Sequence, residues 1–145
     1  MIRTFERDGI RFRYPATWTV ESVDDDPDGG GWTISVQSPA TAFVLVSLRP
    51  DADNPADLAD QVLHTLEVEY KELDAVNSVV GFAGLPSIGH DIDFLTLDTA
   101  VTCWTRCVQT PAGPLVVMCQ ASERDRVIDE PVLQAICASF EIDEE

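Results

Sequence analysis

Basic residues are scarce in this sequence. Lys71 is its single lysine, and lysine and arginine together number 9 against 26 aspartates and glutamates, which gives a formal net charge of −17 at pH 7. A surface with this charge repels phosphate backbones and anionic lipid headgroups, so nucleic-acid binding and electrostatic docking to a membrane are excluded. Two sources of the acidity carry equal weight: adaptation to high salt, where counterions screen the repulsion, and a high-GC genome that encodes arginine in place of lysine.

Long apolar runs are also missing. No stretch approaches the ~20 apolar residues that a membrane-spanning helix requires, and residues 1–5 lack the apolar core of a secretory signal. We therefore expect a cytoplasmic protein without membrane insertion. With 145 residues, of which 45% are hydrophobic, the chain can bury a core without disulfides or a metal. The absence of repeats and linkers predicts one domain over residues 1–145.

Metal-binding and catalytic signatures are lacking as well. The four cysteines lie in the last third of the chain: Cys103, Cys107, Cys119 and Cys137. They do not form Cys-x-x-Cys pairs, and His64 and His90 are not spaced as zinc ligands. No Gly-x-Ser-x-Gly or Gly-x-x-x-x-Gly-Lys motif is present. We expect no cofactor, and reduced cysteines buried as small apolar groups, with a cross-strand contact of Cys103 or Cys107 with Cys119 as an alternative.

Alternating apolar and polar residues predict strands in the first third of the chain. Residues 10–14, 18–23 and 32–38 alternate with a period of two, as half-buried strands do. Residues 42–48 form an almost continuous apolar run, which is typical of an interior strand covered on both faces.

Two amphipathic helices are predicted. Asn54 is suited to the N-cap and Pro55 to the first helical position of the longer one. Its apolar stripe has helical spacing: Leu58, Val62, Leu66, Tyr70 and Leu73. Further on, Ser122 can cap a short helical turn, and Pro131 is expected to open a final helix that ends near Phe140.

More strands are predicted between the helices. Segments 76–83, 88–97 and 99–109 have strand patterns, and a Pro- and Gly-rich turn over 110–114 returns residues 115–121 as the partner of a hairpin. Strands, one helix, four more strands and a terminal helix together predict the α+β class. An antiparallel sheet of about six to seven strands would pack against the long helix and the C-terminal helix.

Several anchors of this layout resemble the PsbP/Mog-type superfamily. The chain has Gly-Ile-x-Phe-x-Tyr-Pro-x-x-Trp at residues 9–18, then the apolar strand at 42–48 with a long helix after it, and finally a helix that runs into Ser139 and Phe140. The resemblance implies an antiparallel sheet of about seven strands with helices packed on it.

This resemblance also implies a class of function. The superfamily includes extrinsic proteins of photosystem II, a Ran-binding nuclear import factor and chaperones for type VI secretion effectors, which bind other proteins without catalysis. We therefore expect a non-enzymatic protein-binding domain, adaptor or chaperone-like. Its expected partner is another protein, and a homodimer is an alternative.

One acidic segment fits a metal site. Asp24, Asp26 and Asp28 alternate ahead of Gly29, as at the start of a calcium loop, where a hard cation takes 6–8 oxygen ligands. The twelfth position holds Ser35 instead of a bidentate glutamate, which favours a hydrated loop. A calcium-responsive module that uses the three aspartates is the alternative.

The remaining alternative is a small-ligand binder or an enzyme with a pocket near Trp18, Trp32 or His90. His90 precedes Asp91, but adjacent residues of a strand point to opposite faces, so a structural role is favoured for the histidine. Trp18, Trp32 and Trp104 are expected mainly in the core, because large aromatic rings on alternating strands are usually buried.

Overall fold

The computed structural model describes residues 1–25 and 29–144. In chain order the strands are β1 (Ile2–Arg7), β2 (Ile10–Pro15), β3 (Thr19–Asp25), β4 (Trp32–Gln37), β5 (Phe43–Leu48), β6 (Leu73–Ser78), β7 (Gly81–Phe82), β8 (Leu85–Pro86), β9 (Gly89–Leu95), β10 (Ala100–Thr110), β11 (Gly113–Ser122) and β12 (Glu141–Ile142). Helix α1 (Pro55–Glu69) lies between β5 and β6 in the chain, and helix α2 (Arg126–Ala138) lies between β11 and β12.

Seven strands form the main sheet, in the order β3-β4-β5-β11-β10-β9-β6. All of its neighbouring pairs are antiparallel. A second sheet has the order β1-β2-β12, and β7 pairs with β8. The α+β class and the antiparallel sheet of about seven strands are therefore confirmed.

The two helices pack on opposite sides of the main sheet. Helix α1 lies against β9, β10 and β11, where Leu66 joins a buried cluster with Phe94 and Cys103. Helix α2 and the small sheet cover the other side, where Leu133 and Phe140 join the largest apolar cluster. A sheet with apolar residues on both faces needs a cover on each, and the helices supply them.

The start of α1 follows local chemistry. The Asn54 side chain accepts a hydrogen bond of 2.8 Å from the backbone N–H of Asp57, and Pro55 is the first helical residue. This satisfies one of the N–H groups that a helix start leaves without a partner. The predicted N-terminus of α1 is confirmed. The prediction that its helical apolar stripe continues to Leu73 is wrong. Helix α1 ends at Glu69, and Leu73 is the first residue of β6.

The predicted start of the last helix at Pro131 is also wrong. Helix α2 begins at Arg126 and contains Pro131, and the backbone N–H of Asp129 donates to the carbonyl of Asp125 in the first turn. The proline has no N–H for the carbonyl four residues earlier, which belongs to Val127. Since Val127 is exposed, water can donate to that carbonyl.

A single strand over 76–83 is not formed. Residues 73–78 make β6, and a separate short hairpin of β7 and β8 follows. Its turn has positive φ angles of 54° at Ala83 and 76° at Gly84. Two such residues in succession are typical of a type I′ turn, whose twist matches that of the two strands of a hairpin. The apolar pattern of residues 76–83 did not indicate this turn.

Candidate functional site

Helix α2 leaves part of its side of the main sheet open. A groove of about 540 Å³ lies between α2 and strands β9 and β10. Its floor is formed by side chains of the two strands: Asp91, Asp93, Thr102, Trp104 and Arg106. Its wall is formed by side chains of α2: Arg126, Glu130, Gln134 and Cys137. We call this site the α2 groove.

Strand register places the floor of the groove in rows. Val76 of β6 lies opposite Asp91, Asp91 lies opposite Trp104, and Trp104 lies opposite Cys119 of β11. Residues directly opposite each other in antiparallel strands share a face of the sheet. One row therefore runs from the edge strand, across the floor of the groove, to a cysteine beneath α2.

Ion pairs hold the two arginines of the α2 groove. Arg106 makes a 2.9 Å contact with Asp91 through Nη2 and donates from Nη1 to the carbonyl of Thr105 at 2.7 Å. Arg126 pairs with Glu130 one turn later at 2.7 Å, and this hydrogen bond raises the pKa of the guanidinium. Both cations are thus partnered by carboxylates within the site.

A second groove adjoins the α2 groove and adds further acidic side chains to it. It measures about 630 Å³ and shares Asp93, Thr102 and Arg126 with the α2 groove. Together the two grooves are lined by three basic side chains, Lys71, Arg106 and Arg126, and by six acidic ones: Glu72, Asp74, Asp91, Asp93, Glu123 and Glu130. The surface as a whole complements a cationic ligand.

Apolar side chains are exposed at the same end of the sheet. Strand β6 is an edge strand, and among the described residues no strand pairs with its outer side. Val76 is 67% exposed on β6, Val79 just beyond it is 77% exposed, and Leu95 at the end of β9 is 57% exposed. Exposed apolar residues beside an unpaired strand edge are typical of sites that bind another chain.

One end of the α2 groove carries a cysteine pair. Cys137 lies near the C-terminus of α2, and its Sγ is 3.3 Å from the Sγ of Cys119 on β11. The predicted alternative, a contact of Cys103 or Cys107 with Cys119, is wrong. Cys103 lies opposite Gln120 and Cys107 opposite Val116, so both face α1 while Cys119 faces α2.

The pKa of Cys137 is shifted in the opposite direction from those of the other three thiols. Burial raises the pKa of Cys103 and of Cys107 to about 12. Burial also raises the pKa of Cys119. The pKa of Cys137 is lowered, chiefly by the hydrogen bond with Cys119 and further by Trp104 and the positive charge of Arg106. Among the four thiols, Cys137 alone combines partial exposure with a lowered pKa, two conditions that favour reaction through the thiolate.

The aspartates of the predicted calcium loop cannot be placed as a set. Asp26 and Asp28 lie outside the described residues, and for Asp24 only the backbone, in β3, is described. Within residues 1–25 and 29–144, no three His, Cys, Asp or Glu side chains are grouped as metal ligands. The calcium-responsive module stays a prediction.

The other candidate residues mostly have structural positions. Trp18 and Trp32 are buried in the largest apolar cluster, as expected. Trp104 is only half-buried, because α2 does not cover it fully. His90 is buried on the α1 side and Asp91 is exposed on the other face, as their adjacency predicts. Trp18, Trp32 and His90 line neither of the two grooves.

No helix among the described residues combines the length and apolarity that crossing a lipid bilayer requires.

Comparisons of sequence and of structure give different results. No protein-family model matches the sequence, and no curated protein matches it significantly. Solved structures do match its fold. Cyanobacterial PsbP from Synechocystis is 12% identical with a TM-score of 0.64, covering 98% of this chain and 92% of that one. A Pseudomonas aeruginosa protein of unknown function is 12% identical with a TM-score of 0.59, covering 99% of each chain.

A third similar structure is LpqN of Mycobacterium tuberculosis, a protein involved in cell envelope biogenesis. It is 14% identical with a TM-score of 0.50, covering 98% of this chain and 90% of that one. At such identities the likeness concerns the fold alone, because one fold hosts many functions. The chain has a PsbP-like fold, as the resemblance in its sequence implied.

Proposed function

We propose that this protein is a non-enzymatic protein-binding domain, adaptor or chaperone-like, that holds an extended segment of a partner protein along β6 and over the α2 groove. The observation that carries this proposal is the row of Val76, Asp91 and Trp104, which is at least partly exposed along its length and begins at an edge where β6 has no further partner among the described strands. The cytoplasmic location expected from the sequence belongs to the same proposal.

The backbone of β6 would supply affinity. An extended segment that adds to a sheet edge forms main-chain hydrogen bonds with it, and its alternate side chains reach the face of the sheet. On the α2 side those side chains would meet Val76, and the part of the segment that crosses the α2 groove would meet Trp104, which lies two strands further in. A half-buried tryptophan is a common energetic centre of a protein interface.

Charge selects the class of partner. Six carboxylates against three basic side chains around the two grooves favour a segment that alternates apolar and basic residues. A second copy of this chain would bring the same carboxylates, Glu72 and Asp74 among them, to the shared edge. Like charges placed opposite each other across strands are destabilising, so a different protein is preferred over a homodimer.

A peptide-binding experiment tests this proposal. Short synthetic peptides that alternate apolar residues with lysine or arginine should bind the purified protein in calorimetry, and more weakly as salt is added. Matched peptides with glutamate at the basic positions should not bind. Absence of binding by the basic peptides, or equal binding by both sets, would contradict the proposal.

Two variants locate the interaction. Trp104→Ala should weaken binding of the basic peptides about tenfold or more, the usual loss for an aromatic centre. Val127→Ala is the matched control, because Val127 is exposed on α2 and lines neither groove. If Trp104→Ala binds as wild type does, the peptide is bound elsewhere and the proposed site is wrong.

A further inference from the structure

Two of the four cysteines form a pair that joins two elements of the fold. Cys119 belongs to β11 and Cys137 to α2, and 18 positions of sequence separate them. Their sulfur atoms are 3.3 Å apart, whereas a disulfide bond measures about 2.05 Å. A small shift of the end of α2 would therefore bring the sulfurs within bonding distance.

The two thiols differ in access. Cys137 is half-buried and lines the α2 groove, while Cys119 is completely buried beneath the helix. A small solute in the groove therefore reaches Cys137 first, and Cys119 lies behind it in direct contact with its sulfur. This is the arrangement of an attacking and a resolving cysteine.

The surroundings of Cys137 favour its thiolate. The hydrogen bond with Cys119, a hydrogen bond from Trp104 and the charge of Arg106 lower its pKa. Cys103 and Cys107 provide the contrast within the same sheet, since both are buried on the α1 side and have raised pKa values. Oxidants act on thiolates that are accessible, so the difference predicts one reactive site.

We infer that Cys119 and Cys137 are a redox-active dithiol that hydrogen peroxide converts into an intramolecular disulfide. The Cys137 sulfur attacks one peroxide oxygen, the O–O bond breaks, and the leaving hydroxide takes up the proton that the thiol released, which forms water and a sulfenic acid. The Cys119 sulfur then attacks the Cys137 sulfur, the S–O bond breaks, and a second water leaves with the proton of Cys119. Two thiols lose two electrons, and the peroxide gains them.

Peptide mapping of the wild-type chain tests the inference directly. The reduced protein is treated with hydrogen peroxide, unfolded, alkylated and digested. We expect a peptide pair linked through Cys119 and Cys137, while Cys103 and Cys107 remain alkylated. Dithiothreitol should restore all four thiols. If no such linked pair forms, or if Cys103 or Cys107 is oxidised before Cys137, the inference is wrong.

Alkylation of the folded wild-type protein compares the reaction rates of the individual thiols. In the native reduced state, iodoacetamide should modify Cys137 at least about tenfold faster than Cys103 or Cys107, because it is accessible and its thiolate is favoured. Equal rates for the three thiols would overturn the inference.

Variants distinguish the attacking cysteine, Cys137, from the resolving cysteine, Cys119. In Cys119→Ala, peroxide should leave a sulfenic acid at Cys137 that dimedone traps. In Cys137→Ala, Cys119 should stay reduced. Cys103→Ala is the matched control and should form the disulfide as wild type does. Oxidation of Cys119 in Cys137→Ala, in protein whose circular dichroism matches wild type, would contradict the assigned order.

The disulfide should also be visible in stability. The disulfide links β11 to α2 covalently and so reduces the conformational entropy of the unfolded chain. Oxidised wild type should therefore melt about 5 to 10 °C higher than the reduced protein. Cys119→Ala should show no such rise. This inference does not depend on the proposed binding function, because its experiments involve no partner.

Discussion

Helices α1 and α2 lie on opposite sides of the same main sheet and cover it to different extents. Helix α1 closes its side of β9 and β10 with Leu66 over Phe94 and Cys103. Helix α2 packs against β11 and leaves its side of β9 and β10 open, with Trp104 in the floor of a groove. Between Thr102 and Arg106, strand β10 thus contributes core on one face and partly exposed side chains on the other.

The two edges of the main sheet differ in a similar way. Edge strand β3 has a register shift between Ser22 and Asp24, and Arg7 binds Asp25 at its end with a 3.0 Å ion pair. Edge strand β6 pairs with β9 without interruption from residue 73 to residue 78. A bulge disturbs the regular ladder that another strand would extend, so the proposed partner segment is assigned to β6, whose pairing is regular.

Removal of core volume on the α2 side should have the largest effect. Leu133 is completely buried in the main apolar cluster, so Leu133→Ala should lower the free energy of unfolding by about 2–5 kcal/mol. Leu97→Ala makes the same chemical change at a fully exposed leucine and should stay within about 0.5 kcal/mol of wild type. Urea denaturation measures both, and similar losses would mean that α2 does not pack as described.

The N-cap of α1 should matter less. Asn54→Ala removes the acceptor for the N–H of Asp57 and should lower the free energy of unfolding by about 1 kcal/mol. Asn54→Asp keeps an acceptor oxygen and should retain most of the stability. If the aspartate variant loses as much as the alanine variant, the side-chain bond does not stabilise α1.

Acid should weaken the attachment of α2 at its N-terminus. The Asp125 side chain accepts hydrogen bonds from the hydroxyl and the backbone N–H of Thr41, and the former is the main reason that its pKa is lowered. A carboxyl whose folded pKa lies below the unfolded value of ~3.9 stabilises the fold above that pH and loses its contribution as the pH falls through the folded pKa. Asp125→Asn should therefore be less stable than wild type at neutral pH, and this difference should shrink below about pH 4.

Thermal melts from pH 7 to pH 2 measure this effect. Asp51→Asn serves as the control, because that carboxylate is exposed and has no hydrogen bond or ion pair within residues 1–25 and 29–144. A difference between Asp125→Asn and wild type that does not depend on pH would contradict the role given to the Thr41 contact.

Substitutions on the edge strands should have the smallest effect on stability, and only the one on β6 should change peptide binding. Val76→Lys places a positive charge on the exposed β6 edge and should change the free energy of unfolding by less than about 0.5 kcal/mol. It should nevertheless weaken binding of the basic peptides several-fold through charge repulsion. Val23→Lys makes the same change on β3 and should leave peptide binding unaltered; if both variants bind equally, the two edges do not differ in function.

Much of the fold could be predicted because its signals are local. Alternation of apolar and polar residues predicted β2 and β4, the turn over 110–114 predicted the hairpin of β10 and β11, and the Asn54-Pro55 pair predicted the start of α1. The failures have physical causes too. At Pro131 an exposed carbonyl tolerates the missing hydrogen bond, and at Ala83 the left-handed turn residue is not a glycine.

The groove residues were only partly visible in the sequence. Strand β10 alternates Thr102, Trp104 and Arg106 with the small buried side chains of Cys103 and Thr105, which indicates one open and one covered face. That signal could have separated Trp104 from the core tryptophans. Nothing local, however, indicates which helix lies over which face.

By itself the sequence determined the class of the fold, the cap of α1, the hairpin of β10 and β11, and the acidic surface. Residue spacing and cap chemistry depend on a few neighbouring residues, and net charge depends only on composition. Only the tertiary structure decided that Val76, Asp91 and Trp104 form one row, that Cys119 faces Cys137, and that β6 is the last described strand at its end of the main sheet. These features depend on strand order and on the placement of α2, which arise from contacts between residues far apart in the chain.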